Sequence, residues 1–172
     1  MKRLPIVLVI ALGATALPAQ GVRISLPPWT EPVLLDSMRQ EHPIAASPAD
    51  VYQAVLKSYV ALGIPTGKTL GEAGIVGSER FEKMHNLAGA LMSMSFSCGE
   101  GATGPNADSF RLTIAIVTWV KPAANGKTTL GIASVASGQS LEGARRGARE
   151  CASLGRIEGK IVDQVRKTLG LQ

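Results

Sequence analysis

Phe110-Arg111-Leu112-Thr113-Ile114-Ala115-Ile116-Val117-Thr118-Trp119-Val120-Lys121 is the stretch that decides the fold class of this chain. Phe110, Leu112, Ile114, Ile116 and Val120 recur at even spacing, the period of a strand with one buried face. On the opposite face Val117 and Trp119 are apolar too, so that side reads as buried or covered by the N-terminal leader. Asn125-Gly126 is a turn dipeptide, and Thr128 to Ser137 returns as a partner strand with Leu130 and Ile132 on one face. A long antiparallel hairpin is expected.

Upstream, Leu91 to Cys98 alternates Met92, Met94, Phe96 and Cys98 with Ser93, Ser95 and Ser97. That period of two predicts a strand with a thioether–aromatic face inward and a serine face toward solvent. Met92 and Met94 read as core filling. Gly99 to Ser109 reads as a loop. Two further strands are expected around Ile64 to Leu70 and Gly74 to Phe81. Before them, Ser47 is a good N-cap, Pro48 fits the first helical position and Asp50 brings a carboxylate to the first turn. Val51, Val55, Leu56, Tyr59 and Leu62 then share one face at helical spacing, and Gly63 with Pro65 ends the helix. Val22 to Pro32 reads as an extended leader: Val22, Ile24 and Leu26 alternate with Arg23 and Ser25, but Pro27, Pro28 and Pro32 forbid regular pairing afterwards, and a short first strand is expected over Val33 to Leu35.

Downstream, Gly138 to Gly147 is a polar, glycine-containing connector. A final helix is expected from about Ser153 to Leu169, with Leu154, Ile157, Ile161, Val165 and Leu169 as its apolar stripe. Gly155 and Gly159 lower its propensity by up to ~1 kcal/mol each, so it depends on tertiary packing. The order lacks βαβ alternation, which predicts an α+β fold: an antiparallel sheet with two helices packed on one face.

Lys2 and Arg3 precede an apolar run from Leu4 to Ala14, and Ala19-Gln20-Gly21 offers a small-x-small cleavage site. Residues 1–21 are therefore expected to be a signal peptide, 22–46 the leader and first strand, and 47–172 one α+β domain. The apolar run is too short to span a bilayer, which takes about 20 residues, so no transmembrane segment is expected. The expected location is periplasmic or secreted. There Cys98 and Cys151 most simply close one intramolecular disulfide, with free thiols or an intermolecular bridge as the alternatives. They do not form a C-x-x-C pair, which disfavours a redox role.

Charge is unevenly placed. From Val22 to Ser140 nine Lys/Arg meet nine Asp/Glu, whereas from Leu141 onward seven face four. Arg145, Arg146 and Arg149, joined by Arg156 and Lys160, form a candidate docking patch for an envelope protein or an anionic surface component. The competing reading is a solvated connector partly balanced by Glu142 and Glu150. The excess is too small to predict nucleic-acid binding. Three Phe, two Tyr and two Trp are too few for an aromatic stacking platform.

The local motifs point away from catalysis. Gly63-Ile64-Pro65-Thr66-Gly67-Lys68-Thr69 has three residues between its glycines where a phosphate-binding loop needs four, and it follows a helix. It reads as a turn and a strand start. Glu82 and His85 have i,i+3 ligand spacing, but the other histidine, His42 beside Glu41, is too little to complete a metal set. Gly138-Gln139-Ser140-Leu141-Glu142 is half of a nucleophile elbow, and Ser93, Ser95 and Ser97 read as a solvent-facing row. No catalytic residue, cofactor or metal is expected.

The run Ser47-Pro48-Ala49-Asp50-Val51-Tyr52 through Leu62-Gly63-Ile64, followed by Gly74-Ile75-Val76-Gly77-Ser78, resembles the opening of helix-grip modules in exported bacterial envelope proteins (BamC-like). The resemblance implies a sheet gripping helices and a scaffold role without catalysis. The sequence has no Cys near residue 20, so the lipid anchor of such proteins is not carried over. The functional expectation is a non-enzymatic, exported envelope module that binds or scaffolds a partner. A small secreted hydrolase with an unrecognised site is the alternative.

Overall fold

A computed structural model describes residues 21–71, 73–141 and 147–171. In chain order the strands are β1 (Arg23–Ile24), β2 (Val33–Leu34) and β3 (Gln40–Ile44), followed by helix α1 (Pro48–Ala61). Next come β4 (Lys68–Leu70), β5 (Ile75–Met84), β6 (Asn86–Leu87), β7 (Ala90–Leu91), β8 (Phe96–Ser97), β9 (Glu100–Gly101), β10 (Gly104–Pro105) and the single-turn helix α2 (Asn106–Ser109). The chain closes with β11 (Arg111–Pro122), β12 (Thr128–Gln139), β13 (Arg149–Ser153) and α3 (Arg156–Thr168). The fold is α+β, as expected.

The predicted hairpin is the centre of the main sheet, with β11 and β12 in continuous antiparallel register from Arg111↔Gln139 to Pro122↔Thr128. The sheet order is β4-β5-β11-β12-β13-β8, and β3 also pairs with β12. One edge of β12 is thereby shared: β3 takes Thr128 to Ile132, and β13 takes Ala136 to Gly138. A bulge in β5 sets Phe81 opposite Ile114 but Ser78 opposite Ile116. It lets Val76 and Phe81, an odd number of residues apart, both enter the same core.

Both long helices pack on one face. Val51, Val55 and Tyr59 of α1 and Ile157, Ile161, Val162 and Val165 of α3 are buried with Leu112, Ile114, Ile116, Leu130 and Ile132 of the sheet. Helix α1 starts as predicted: the Ser47 hydroxyl accepts from the Asp50 N–H at 3.2 Å and donates to the Asp50 carboxylate at 2.7 Å. On the reverse face Ala115, Val117, Trp119, Ala133 and Val135 lie under Ile24, Leu26 and Leu35 of the leader. Arg39 completes that cover, its guanidinium 5.6 Å from the Trp119 ring centroid and paired with Glu41.

Several expectations need correction. The short strand at Val33–Leu34 pairs back with Arg23–Ile24 in a two-residue ladder, and the three leader prolines lie in the stretch between the two strands. The strand expected over Leu91 to Cys98 is instead broken by a 3-10 turn at Met92–Met94. Asp108 accepts from the Ser93 N–H and hydroxyl, both at 2.7 Å, and draws the backbone out of the extended form. The turn inverts the alternation, so Met94 is exposed and Ser95 buried, while Met92, Phe96 and Cys98 remain inside. The Gly99–Ser109 loop contains the β9–β10 hairpin and α2. The expected connector is already strand β12 up to Gln139, and strand β13, between β12 and β8, precedes α3. Helix α3 therefore starts at Arg156, and Leu154, expected in its stripe, is exposed.

Candidate functional site

The groups that stand out chemically converge on one place, the edge where β8 and β13 meet the start of α3. Ala152 pairs with Ser97, and one step along the same ladder Cys98 and Cys151 are joined by a disulfide of S–S 2.06 Å. Their sulfurs pack against Gly138 of β12, where a Cβ would stand 3.1 Å from Cys151 Sγ, 3.4 Å from Cys98 Sγ and 3.0 Å from the Phe110 ring. A glycine is what that close approach requires. Asn106 secures the other side, its side-chain amide donating to the Cys98 carbonyl at 3.3 Å and its N–H to the Gly99 carbonyl at 3.0 Å.

Behind the disulfide lies a buried polar network. The hydroxyls of Ser134 on β12 and Ser153 on β13 both donate to Glu158 Oε1, at 2.6 and 2.7 Å. Glu158 is buried in the first turn of α3, where the helix dipole favours a carboxylate, and its Oε2 has no hydrogen-bond partner among the described residues. Gly155, at φ 79°, caps the helix without a side chain, and its N–H donates to Ser153 Oγ at 3.3 Å. The network ties α3 to two strands at once. Ser134 and Ser153 also line a cleft of about 390 Å³ walled by Trp29, Val33, Met38 and Ala152. A second cleft, about 440 Å³, lies between the start of α1 and the β4–β5 turn, lined by Pro48, Tyr52, Gly74, Val120 and Pro122.

These serines are placed to hold structure. Neither histidine hydrogen-bonds a serine hydroxyl among the described residues: His85 Nδ1 lies 2.8 Å from the Asp108 carbonyl, and His42 Nε2 is buried without a partner. Glu82 faces Arg111 across the β5–β11 ladder at 3.9 Å, so the Glu82/His85 pair is split between two different neighbours. The Gly63–Thr69 segment closes α1 instead of cradling an anion, with the Ile64 N–H donating to the Tyr59 carbonyl at 2.9 Å before β4 begins. Among the described residues no group of three His, Cys, Asp or Glu is placed to hold a metal ion.

The five residues of the basic patch are not all brought together. Arg149 is exposed at the far end of β13, opposite Gly138. Arg156 is exposed at the first position of α3. Lys160, one turn on, is half-buried and donates from Nζ to the Ala88 carbonyl at 2.6 Å, tying the β6–β7 hairpin to the helix. Arg145 and Arg146 lie outside the described residues. Sequence reasoning missed Glu158, although its spacing from Ile161 and Val162 puts it inside the apolar stripe, where a carboxylate is buried only with partners. It also missed the exposed trio Leu91, Met94 and Leu154. No known protein-family model matches this chain, and no curated protein is similar to it.

Proposed function

We propose that this chain is an exported, non-enzymatic cell-envelope module that docks a partner through its disulfide-stapled edge. The observation that carries the reading is the Cys98–Cys151 bond, which cross-links two neighbouring strands beside the exposed guanidiniums of Arg149 and Arg156. Such a bond persists where the compartment is oxidising, which agrees with the export signal read at residues 1–21. The absence of catalysis is supported by how reactive groups are used. Ser93 is bound to Asp108, Ser134 and Ser153 to Glu158, and His85 to a backbone carbonyl. Two helices laid over one face of an antiparallel sheet also suit the helix-grip resemblance and the scaffold role that it implies.

Fractionation of the native host, with the thiol state read by mass spectrometry, tests the reading. The chain is expected outside the cytoplasm with both cysteines oxidised. Arg149→Glu combined with Arg156→Glu is expected to release it from the envelope fraction while leaving the fold intact. A cytoplasmic, fully reduced chain overturns export. Unchanged retention of the charge-reversed variant overturns docking through this edge.

A further inference from the structure

We infer that the partner met by this edge is an anionic lipid surface, contacted by Leu91, Met94 and Leu154 with Arg156 and Lys160 at the rim; this rests on the docking reading above. The three apolar side chains are 52%, 41% and 55% exposed, well above what a packed core leaves open. They come from two distant segments that a backbone hydrogen bond joins. Leu91 immediately precedes the 3-10 turn Met92–Met94, and Met94 ends it. The Leu154 N–H donates to the Ser95 carbonyl at 2.9 Å, which holds Leu154 against the residue that follows Met94. Arg156 follows two residues later, and the Lys160 bond to Ala88 holds the hairpin carrying Leu91 against the same helix.

Charge complementarity selects an anionic partner. Arg156 has no ion pair among the described residues. Two acids of the neighbouring elements are occupied or hidden: Asp108 accepts twice from Ser93, and Glu158 is buried under its two serines. Asp163, one turn beyond Lys160 on α3, and Glu150 on β13 are exposed and bound the basic rim. The shape selects a lipid surface over a protein. Leu91 ends strand β7, Met94 ends the 3-10 turn and Leu154 lies between β13 and α3; they line neither cleft described above, and none of the three is aromatic, whereas protein hot spots favour Trp and Tyr seated in pockets. Aliphatic side chains beside Arg and Lys are the composition of an interfacial contact that sinks into the headgroup boundary.

Co-sedimentation tests this with protein recovered from its own host, every variant carrying the same N-terminus so that any contribution of residues 1–21 cancels. The vesicles are phosphatidylcholine alone and an equimolar mixture with phosphatidylglycerol. The native protein is expected to partition onto the mixture and far less onto phosphatidylcholine. Leu91→Ser/Met94→Ser/Leu154→Ser is expected to weaken that partition by about tenfold or more. Arg156→Gln is expected to reduce the preference for the mixture, as is raising salt from about 0.1 M to about 1 M, which shortens the Debye length from roughly 10 to 3 Å. Val60→Ser, at an exposed apolar site on α1, is expected to change nothing. Circular dichroism and the intact disulfide report folding, and Leu154→Ser alone replaces the triple variant if that variant misfolds. Equal partition of native and serine variants overturns the inference, as does failure of the native protein to partition. The second failure, with loss of envelope retention in the Arg149/Arg156 charge reversal, leaves the docking reading standing and points to an acidic protein face.

Discussion

Gly74 has a φ of 63°, and a Cβ there would collide with the Val120 carbonyl oxygen. Its own carbonyl accepts from the Val120 N–H at 2.7 Å, so the two backbones are held at their closest approach. Gly74→Ala meets both a left-handed backbone and an immovable obstacle, and we expect a loss of about 2–4 kcal/mol in urea unfolding. Gly131 is the informative contrast. A Cβ there meets first the flexible side chain of Arg39, at Cγ, Cδ and Nε, which can rotate away from Trp119, so Gly131→Ala is expected to cost about 1 kcal/mol. Equal losses would mean that the Gly74 contact is softer than drawn. Tyr59 carries a different signature. Its buried hydroxyl pairs with Thr118 Oγ1 at 2.9 Å. Burial pushes its ionisation well above the usual value near 10, against the opposing pull of the Thr118 bond. The unfolded tyrosine ionises first, so the stabilising contribution is full below about pH 10 and drains away as pH rises further. Tyr59→Phe is expected to lose about 1–2 kcal/mol at neutral pH, from the stranded Thr118 hydroxyl, and to show a shallower alkaline decline. Parallel alkaline slopes for the two proteins would count against it.

Among the elements, the β8–β13 edge depends most on its covalent bond. β8 has two residues and β13 five, too few for pairing alone to hold them on the sheet. Cys98 and Cys151 are 53 residues apart, and in the chain-entropy model closing such a loop contributes about 4 kcal/mol. Reduction, or Cys98→Ser with Cys151→Ser, is expected to lower the urea midpoint accordingly without abolishing the β11–β12 hairpin. The loss should be visible in hydrogen exchange first at Phe96–Ser97 and Arg149–Ser153. Protection there equal to the oxidised protein would assign the edge to side-chain packing instead. The long hairpin and α1 were legible because strict periodicity and a Ser-Pro-x-Asp start leave few alternatives. β5 was harder to read because its bulge breaks the period of two between Val76 and Phe81. The serine-alternating segment misled for a physical reason: Asp108, fifteen residues beyond Ser93, supplies the bonds that turn the chain, and no local pattern announces them. β13 was hidden because Arg149–Ser153 shows no run of apolar residues at a period of two, with Cys151 as its one buried side chain. Glu158 was overlooked because its partners, Ser134 and Ser153, come from other elements.

For the molecule as a whole, the question is whether the leader is a layer of the fold or a strap laid on it. Leu35 is fully buried and Leu26 nearly so, and both cover the reverse face of the central hairpin. The charge excess lies at the opposite end of the sequence, and a leader that came away would bare a second apolar surface beside Trp119 and Val117. Both tryptophans of the chain, Trp29 and Trp119, belong to this reverse cluster. Fluorescence therefore reports the leader's docking, while far-UV circular dichroism reports the sheet and helices. If the leader is integral, the two urea transitions coincide. Leu35→Ala should then shift both by the same amount, about 2–5 kcal/mol, since a cavity in one shared core weakens the whole. If it is a strap, fluorescence changes at lower urea, and Leu35→Ala moves that transition alone. We expect coincidence, because Ile24, Leu26 and Leu35 are as dry as the helix-facing core and the β1–β2 ladder closes the leader on itself. Separated transitions would place the folding unit in β3 and everything after it, and leave the reverse face as a surface the leader covers reversibly.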